Sequence, residues 1–278
     1  MRIPNQVLVI LLDLWLELRY RLTSQLHRLP RADDPGFVVC MTSYPARIRF
    51  AWLSLESLFR QTDKAFKLVL VLAINQFPSR KIPGRIRRME KRGLDILWVS
   101  RDGGSFDHLW PAYTKYPSSS IISVDDDKFF DPGMVEKLKS ASVGSPGKII
   151  GWRGWQMRLV HGHIGFGEGW SRAAETTPSV ELFIPPGNGS LFPPRSLPPL
   201  TGDYKLREKL SPNADDVWYW AMARVIGTPS LCLAEPNHRA VWRQSGTVSL
   251  AAVQPGPKEF QQVLAHFDLE KELLRTLT

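Results

Sequence analysis

Short apolar runs punctuate the chain. "FVVCMT" (37–42), "FKLVLVLA" (66–73), "LDILWV" (94–99) and "SIISV" (120–124) each stop at turn residues, which marks buried strands. Between the first two, "FAWLSLESLFRQ" (50–61) has helical spacing, and a basic helical stretch precedes the third. Strands alternating with helices predict a mainly parallel sheet flanked by helices, whose ligands bind beyond the carboxyl ends of the strands. Further on, Asp131 and Pro132 predict an N-cap and first helical position ahead of "GMVEKLKS". Asn213 predicts the cap of a helix running through Arg224 to Gly227 and Pro229.

The N-terminal pattern is different. In "NQVLVILLDLWLELRYRL" (5–22) the apolar run is broken by Asp13 and Glu17, so it is too short and too charged to span a membrane or serve as a signal peptide. It predicts an amphipathic helix with Leu8, Leu11, Leu12, Trp15 and Leu18 on one face and Arg2, Arg19, Arg21 and Arg28 around it. Packing on the domain and lying on an anionic membrane surface both remain open for it. "HRLPRADDPG" (27–36) then reads as a linker.

With 278 residues, 43% of them hydrophobic, the chain can build one large domain with appendages. Its two cysteines, Cys40 and Cys232, lie in apolar runs, which disfavours a disulfide framework or a zinc site and suits a reducing cytoplasm. A formal charge of +9 favours polyanions: nucleic acid, anionic lipid or a diphosphate. In the densest basic run (79–93), Arg85, Arg87, Arg88, Lys91 and Arg92 read as a solvated helix face.

Against that charge stands "SVDDD" (123–127), directly after the fourth strand. Strand alternation turns Asp125 and Asp127 to one side and Asp126 to the other, and two converging carboxylates suit Mn²⁺ or Mg²⁺ shared with phosphate oxygens. A second acidic pair, Asp215 and Asp216, falls in the first turn of the later helix, where acids complement the helix dipole and where a rigid carboxylate can also serve as a general base. Position alone leaves those two roles even.

"MTSYPARI" (41–48), "SVDDD", "PPGNGSLFPP" (185–194) and "NADDVWYWAMA" (213–223), in that order, resemble bacterial nucleotide-sugar glycosyltransferases of the GT-A fold. These are related to the family 2 enzymes and are often associated with surface polysaccharide or lipopolysaccharide synthesis; the likeness covers about 37–243. It implies an α/β, Rossmann-like fold with a catalytic domain at 36–250, whereas the helix and linker at 1–35 and the helical tail at 251–278 lie outside the likeness and rest on the residues alone. The catalytic domain would hold a nucleotide-sugar half (36–150) and an acceptor half (151–250).

The resemblance also implies roles. Thr42, Ser43, Tyr44 and Arg47 border the nucleotide, Asn75 reaches the nucleoside, and Asp125 and Asp126 belong to the donor site. Asp125 and Asp127 hold Mn²⁺ or Mg²⁺, with His238 as a late ligand of the kind some relatives use. Asp216 acts as general base with Asp215 in support, in a single inverting displacement. Gly187, Asn188 and Gly189 lie beside the acceptor, as does Trp218, with Trp220 turned inward. The segment 102–113 sits where relatives contact the donor, but it carries Leu109 after His108 in place of their lysine.

The implied partners are a nucleotide-diphosphate sugar and a glycan or lipid-linked acceptor, at a cytoplasmic location, peripheral on the inner membrane face, and without nucleic acid. Three rivals share part of this pattern: a sugar nucleotidyltransferase, which needs an early Gly-rich basic loop; an aspartyl-nucleophile phosphatase, which needs its Asp-x-Asp after the first strand rather than the fourth; and a non-catalytic basic membrane- or nucleic-acid-associated binding protein, which leaves both acidic pairs without a purpose.

Overall fold

The computed structural model describes residues 5–30, 35–174, 177–234, 238–240 and 256–277. Its strands are β1 (Phe37–Thr42), β2 (Lys67–Ala73), β3 (Leu94–Val99), β4 (Ser120–Val124), β5 (Lys128–Phe130), β6 (Ile149–Gly151), β7 (Trp155–Gln156), β8 (Ser171–Arg172), β9 (Leu182–Phe183), β10 (Asn188–Phe192), β11 (Ser230–Cys232) and β12 (His238–Ala240). Seven of them form the central sheet in the order β11-β6-β10-β4-β1-β2-β3. Strands β1 to β4 run parallel, and β10 enters antiparallel between β4 and β6. The sheet is therefore the mainly parallel one that the alternation predicts, with a single reversed strand beside β4.

The helices are α1 (Asn5–Thr23), α2 (Ile48–Phe59), α3 (Gly84–Met89), α4 (Trp110–Lys115), α5 (Met134–Gly144), α6 (Tyr204–Leu210), α7 (Asp215–Val225), α8 (Pro257–His266) and α9 (Leu269–Leu277). Alternate strand residues feed two cores, one on each face of the sheet. Val38, Cys40, Val69, Val71 and Ile121 pack with α7, α8 and α9, whereas Val39, Met41, Leu68, Leu70 and Ile122 pack with α2 and α5. The C-terminal helices belong to the first core: Phe260 and Trp220 have ring centroids 5.2 Å apart. The linker residues 31–34 and the boundary expected at 250 lie outside the described residues.

Two caps differ from expectation. Helix α5 begins at Met134 after Gly133, while Asp131 makes a local turn by accepting the Gly133 N–H at 2.9 Å. Helix α7 starts at Asp215, with Ala214 rather than Asn213 at its cap. Arg92, expected in solvent, is 5% exposed instead. Its guanidinium is clamped by the buried carboxylate of Glu56 and donates to the carbonyl of His27 at 2.9 Å, so what looks like a surface charge ties the N-terminal segment to the domain.

Helix α1 has two faces. Glu17 and Tyr20 are buried on the domain, while Leu11, Trp15, Leu18 and Leu22 are exposed. Packing and an open apolar face thus coexist on one helix. Arg2 and the Leu8 side chain lie outside the described residues. No helix among the described residues is long and apolar enough to cross a membrane.

Candidate active site

The site lies at the carboxyl ends of β1 and β4. Strand β4 stops at Val124, one residue before the acidic trio, because the Asp125 N–H turns to the carbonyl of Gly187 at 2.7 Å. Strand alternation therefore does not extend to these residues. Asp126 and Asp127, expected on opposite sides, share one cation: the Arg47 guanidinium lies 2.6 Å from Asp126 and 2.7 Å from Asp127. Ser43 donates to the other Asp126 oxygen at 2.5 Å. The loop after β1 and the tip of β4 are thus locked together. Burial nevertheless pushes Asp126 up to about 6, against the pull of Arg47 and Ser43.

Asp125 points to different partners. Lys128 donates to it at 2.5 Å and also to the side chain of Asn188, and His108 Nδ1 lies 3.8 Å away. Burial acts to raise the Asp125 carboxyl, but Lys128 and His108 outweigh it and hold the group well below the usual carboxylate range. His108 is itself buried, and its Nε2 lies 3.2 Å from Asp215 Oδ2, off the angle of a hydrogen bond. Burial opposes charge on this imidazole, yet Asp125 and Asp215 together raise its pKa. One histidine thereby joins the tip of β4 to the start of α7.

Helix α7 is fixed from beneath. The Tyr219 hydroxyl donates to the carbonyl of Phe106 at 2.7 Å and accepts from the Trp110 N–H at 3.0 Å, and Ser105 donates to Asp215 at 2.7 Å. These bonds hold the 104–110 segment against the first turn of α7. Asp216 sits there partly buried, and burial together with the adjacent Asp215 charge raises its pKa well above the ordinary value. A carboxylate so raised is a stronger base than an ordinary aspartate.

The Gly187–Gly189 turn closes the site against Asp125. Gly187 has φ +86°, and a Cβ on it would lie 2.2 Å from Asp125 Oδ1, so glycine is required there by both strain and space. Asn188 is buried and its side-chain oxygen is taken by Lys128, while its NH₂ reaches the carbonyl of Pro186 at 3.4 Å. Thr42 donates to the Val71 carbonyl at 3.1 Å, and the Tyr44 carbonyl accepts from Arg47 and Ile48, which shapes the loop after β1. Asn75 is exposed in the turn after β2.

Trp218 is a correction. It is fully buried, donates its indole N–H to the Thr201 carbonyl at 3.0 Å and packs on Phe267, so it cannot face an acceptor. Trp220 is buried as expected, because α7 is covered on both of these faces by the C-terminal helices and the sheet. The His238 backbone pairs with Phe130 between β12 and β5, and its side chain lies outside the described residues. Sequence reasoning overlooked Ser105, Lys128 and the bridging part played by His108. Lys128, three residues after Asp125, was the visible signal: a cation following an acidic run.

Among the described residues no three His, Cys, Asp or Glu side chains converge as a metal site. The Asp125 and Asp127 carboxylates are 33% and 26% exposed, and each already holds a protein cation. A hard divalent cation bound by both carboxylates would replace Lys128 and Arg47 as their partners and take the rest of its shell from phosphate oxygens and water.

No family model and no curated protein sequence matches the chain. The fold is one shared with solved structures of a glycosyltransferase, Staphylococcus aureus TarS. TarS 1–349 superposes with a TM-score of 0.52 at 12% identity, covering 84% of this chain and 65% of that one. Its complex with UDP-GlcNAc gives 0.56 at 12% identity (84% and 66%), and its complex with UDP 0.50 at 15% (86% and 72%). The chain thus spans just under two thirds of the first of these structures.

Proposed function

We propose that this protein transfers a sugar from a nucleotide diphosphate to a glycan or lipid-linked hydroxyl, with inversion at the anomeric carbon. The observation that carries this reading is the meeting of two sequence-distant acidic sites, Asp125 and Asp215, on one buried imidazole. Donor and acceptor chemistry need such proximity. A uridine diphosphate sugar is the first donor to try, because TarS is seen with UDP-GlcNAc and UDP.

In this reading Ser43, Tyr44 and Arg47 border the nucleotide, and Asp125 and Asp127 would hold Mn²⁺ or Mg²⁺, which supplies positive charge beside the diphosphate. Arg47 and Lys128 add charge of their own at the same place. Asp216 takes the proton from the acceptor hydroxyl as its oxygen attacks the anomeric carbon, and the bond to the diphosphate oxygen breaks with its electrons leaving on the nucleotide. Ser105 and His108 hold Asp215, and Asp215 raises the basicity of its neighbour. The Gly187–Gly189 turn brings backbone close to where the acceptor stands.

The test is turnover of a panel of nucleotide sugars with Mn²⁺ or with chelator, in wild type and in Asp125→Ala with Asp127→Ala. The proposal expects one donor to be consumed, metal to be needed, and the double variant to lose donor binding. A protein that neither binds nor consumes any nucleotide sugar is instead the basic binding module.

A further inference from the structure

Around Trp52 the surface is built for an anion. A cavity of about 230 Å³ is lined by Arg21, Arg85, Arg88 and Arg92 with one carboxylate, Glu56, and a neighbouring one of about 210 Å³ shares Trp52, Arg21 and Arg85 and adds Glu17. The Arg85 guanidinium lies 4.0 Å from the Trp52 ring centroid and that of Arg21 5.8 Å. Two of these arginines are already paired within the cleft, Arg21 with Glu17 at 2.5 Å and Arg92 with Glu56, which leaves Arg85 and Arg88 as its unpaired cations. Among the described residues Arg85 and Arg88 have no carboxylate within ion-pair reach. Burial, then the charges of Arg21 and Arg88, lower the pKa of Arg85 and outweigh the opposing pull of Glu17 and Glu56.

Helix α1, whose Glu17 and Arg21 line this cleft, also carries an open apolar side. Leu11, Trp15, Leu18 and Leu22 recur at helical spacing and are 51%, 53%, 56% and 76% exposed, and Leu26 beyond them is 77% exposed. Arg19 borders this stripe on one side, its guanidinium 5.4 Å from the Trp15 ring, and Arg21 borders it on the other and reaches into the cleft. An apolar stripe edged by arginines matches the two layers of a bilayer surface, acyl chain below and phosphate above.

We infer that α1 and the arginine cleft around Trp52 form one docking surface for an anionic phospholipid membrane, the leucine stripe entering the acyl boundary and Arg85 and Arg88 taking a headgroup phosphate. The test is co-sedimentation of the full chain with vesicles of phosphatidylcholine alone or mixed with phosphatidylglycerol. Binding is expected only to the anionic vesicles and falls with added salt. Arg85→Gln with Arg88→Gln should weaken it by about fivefold per arginine. Leu18→Asp with Leu22→Asp should weaken it by more than about tenfold. Both pairs should leave the thermal unfolding midpoint in place, which shows that the fold survives. Equal binding to neutral vesicles, or full binding by the arginine variant, overturns the headgroup role. Absence of sedimentation, or a dimer that the leucine variant dissociates, overturns the membrane as the occupant.

Discussion

Asp215 and Asp216 occupy the same helical turn, yet the site treats them differently. Asp215 is held by Ser105 and faces His108, whereas Asp216 is left with a carboxyl whose pKa is raised by burial and by Asp215. As the proposed base, Asp216 would work as the carboxylate, so turnover should fall as pH drops through its pKa, and the raised pKa starts that fall well above the ordinary aspartate value of 3.8. Asp215→Asn removes a charge that raises the pKa, so the acid limb of the pH-rate profile should move to lower pH. His108→Gln removes a charge that lowers it, so the limb should move to higher pH. A limb that stays put in both variants assigns the base to another residue. Asp216→Asn keeps the shape but accepts no proton; transfer should drop by about 10²- to 10⁴-fold while donor affinity, measured by calorimetry, is kept.

The elements that position these residues rest on two fixed points. One is Gly187, where Gly187→Ala should cost about 1–2 kcal/mol from the left-handed backbone alone and should also displace Asp125, lowering donor affinity as well as the unfolding midpoint. The other is the buried Glu56, which holds Arg60 and Arg92 and, through Thr23 and His27, the end of α1. Glu56→Gln leaves buried cations short of a partner and should cost about 3–5 kcal/mol in denaturant unfolding, with earlier proteolysis near residues 24–30. An unchanged midpoint would make this cluster a bystander. Strands β1, β2 and β4 were legible because a strand buried on both faces reads as an apolar run. The caps were not, because Asp131 and Asn213 offer a helix start that the actual chain direction places one or two residues later.

Taken across the molecule, topology brings together what sequence spacing could not. The two acidic motifs were readable as separate candidates, but their contact through His108 depends on the packing of the 104–110 segment between β4 and α7. Arg47 pairing with both Asp126 and Asp127 was hidden for the same reason: the partners lie on different strand exits. Trp218 misled because helical spacing separates two faces of α7 without telling that the C-terminal segment covers both of them.

The most direct measurement is a crystal of the protein grown with manganese and a nucleoside diphosphate. The nucleotide should lie between the Ser43–Arg47 loop and Asp125–Asp127, with its terminal phosphate on the side of Asp216. A nucleotide found anywhere else, or an acidic cluster that stays closed on Arg47 and Lys128 with the ligand absent, would contradict it.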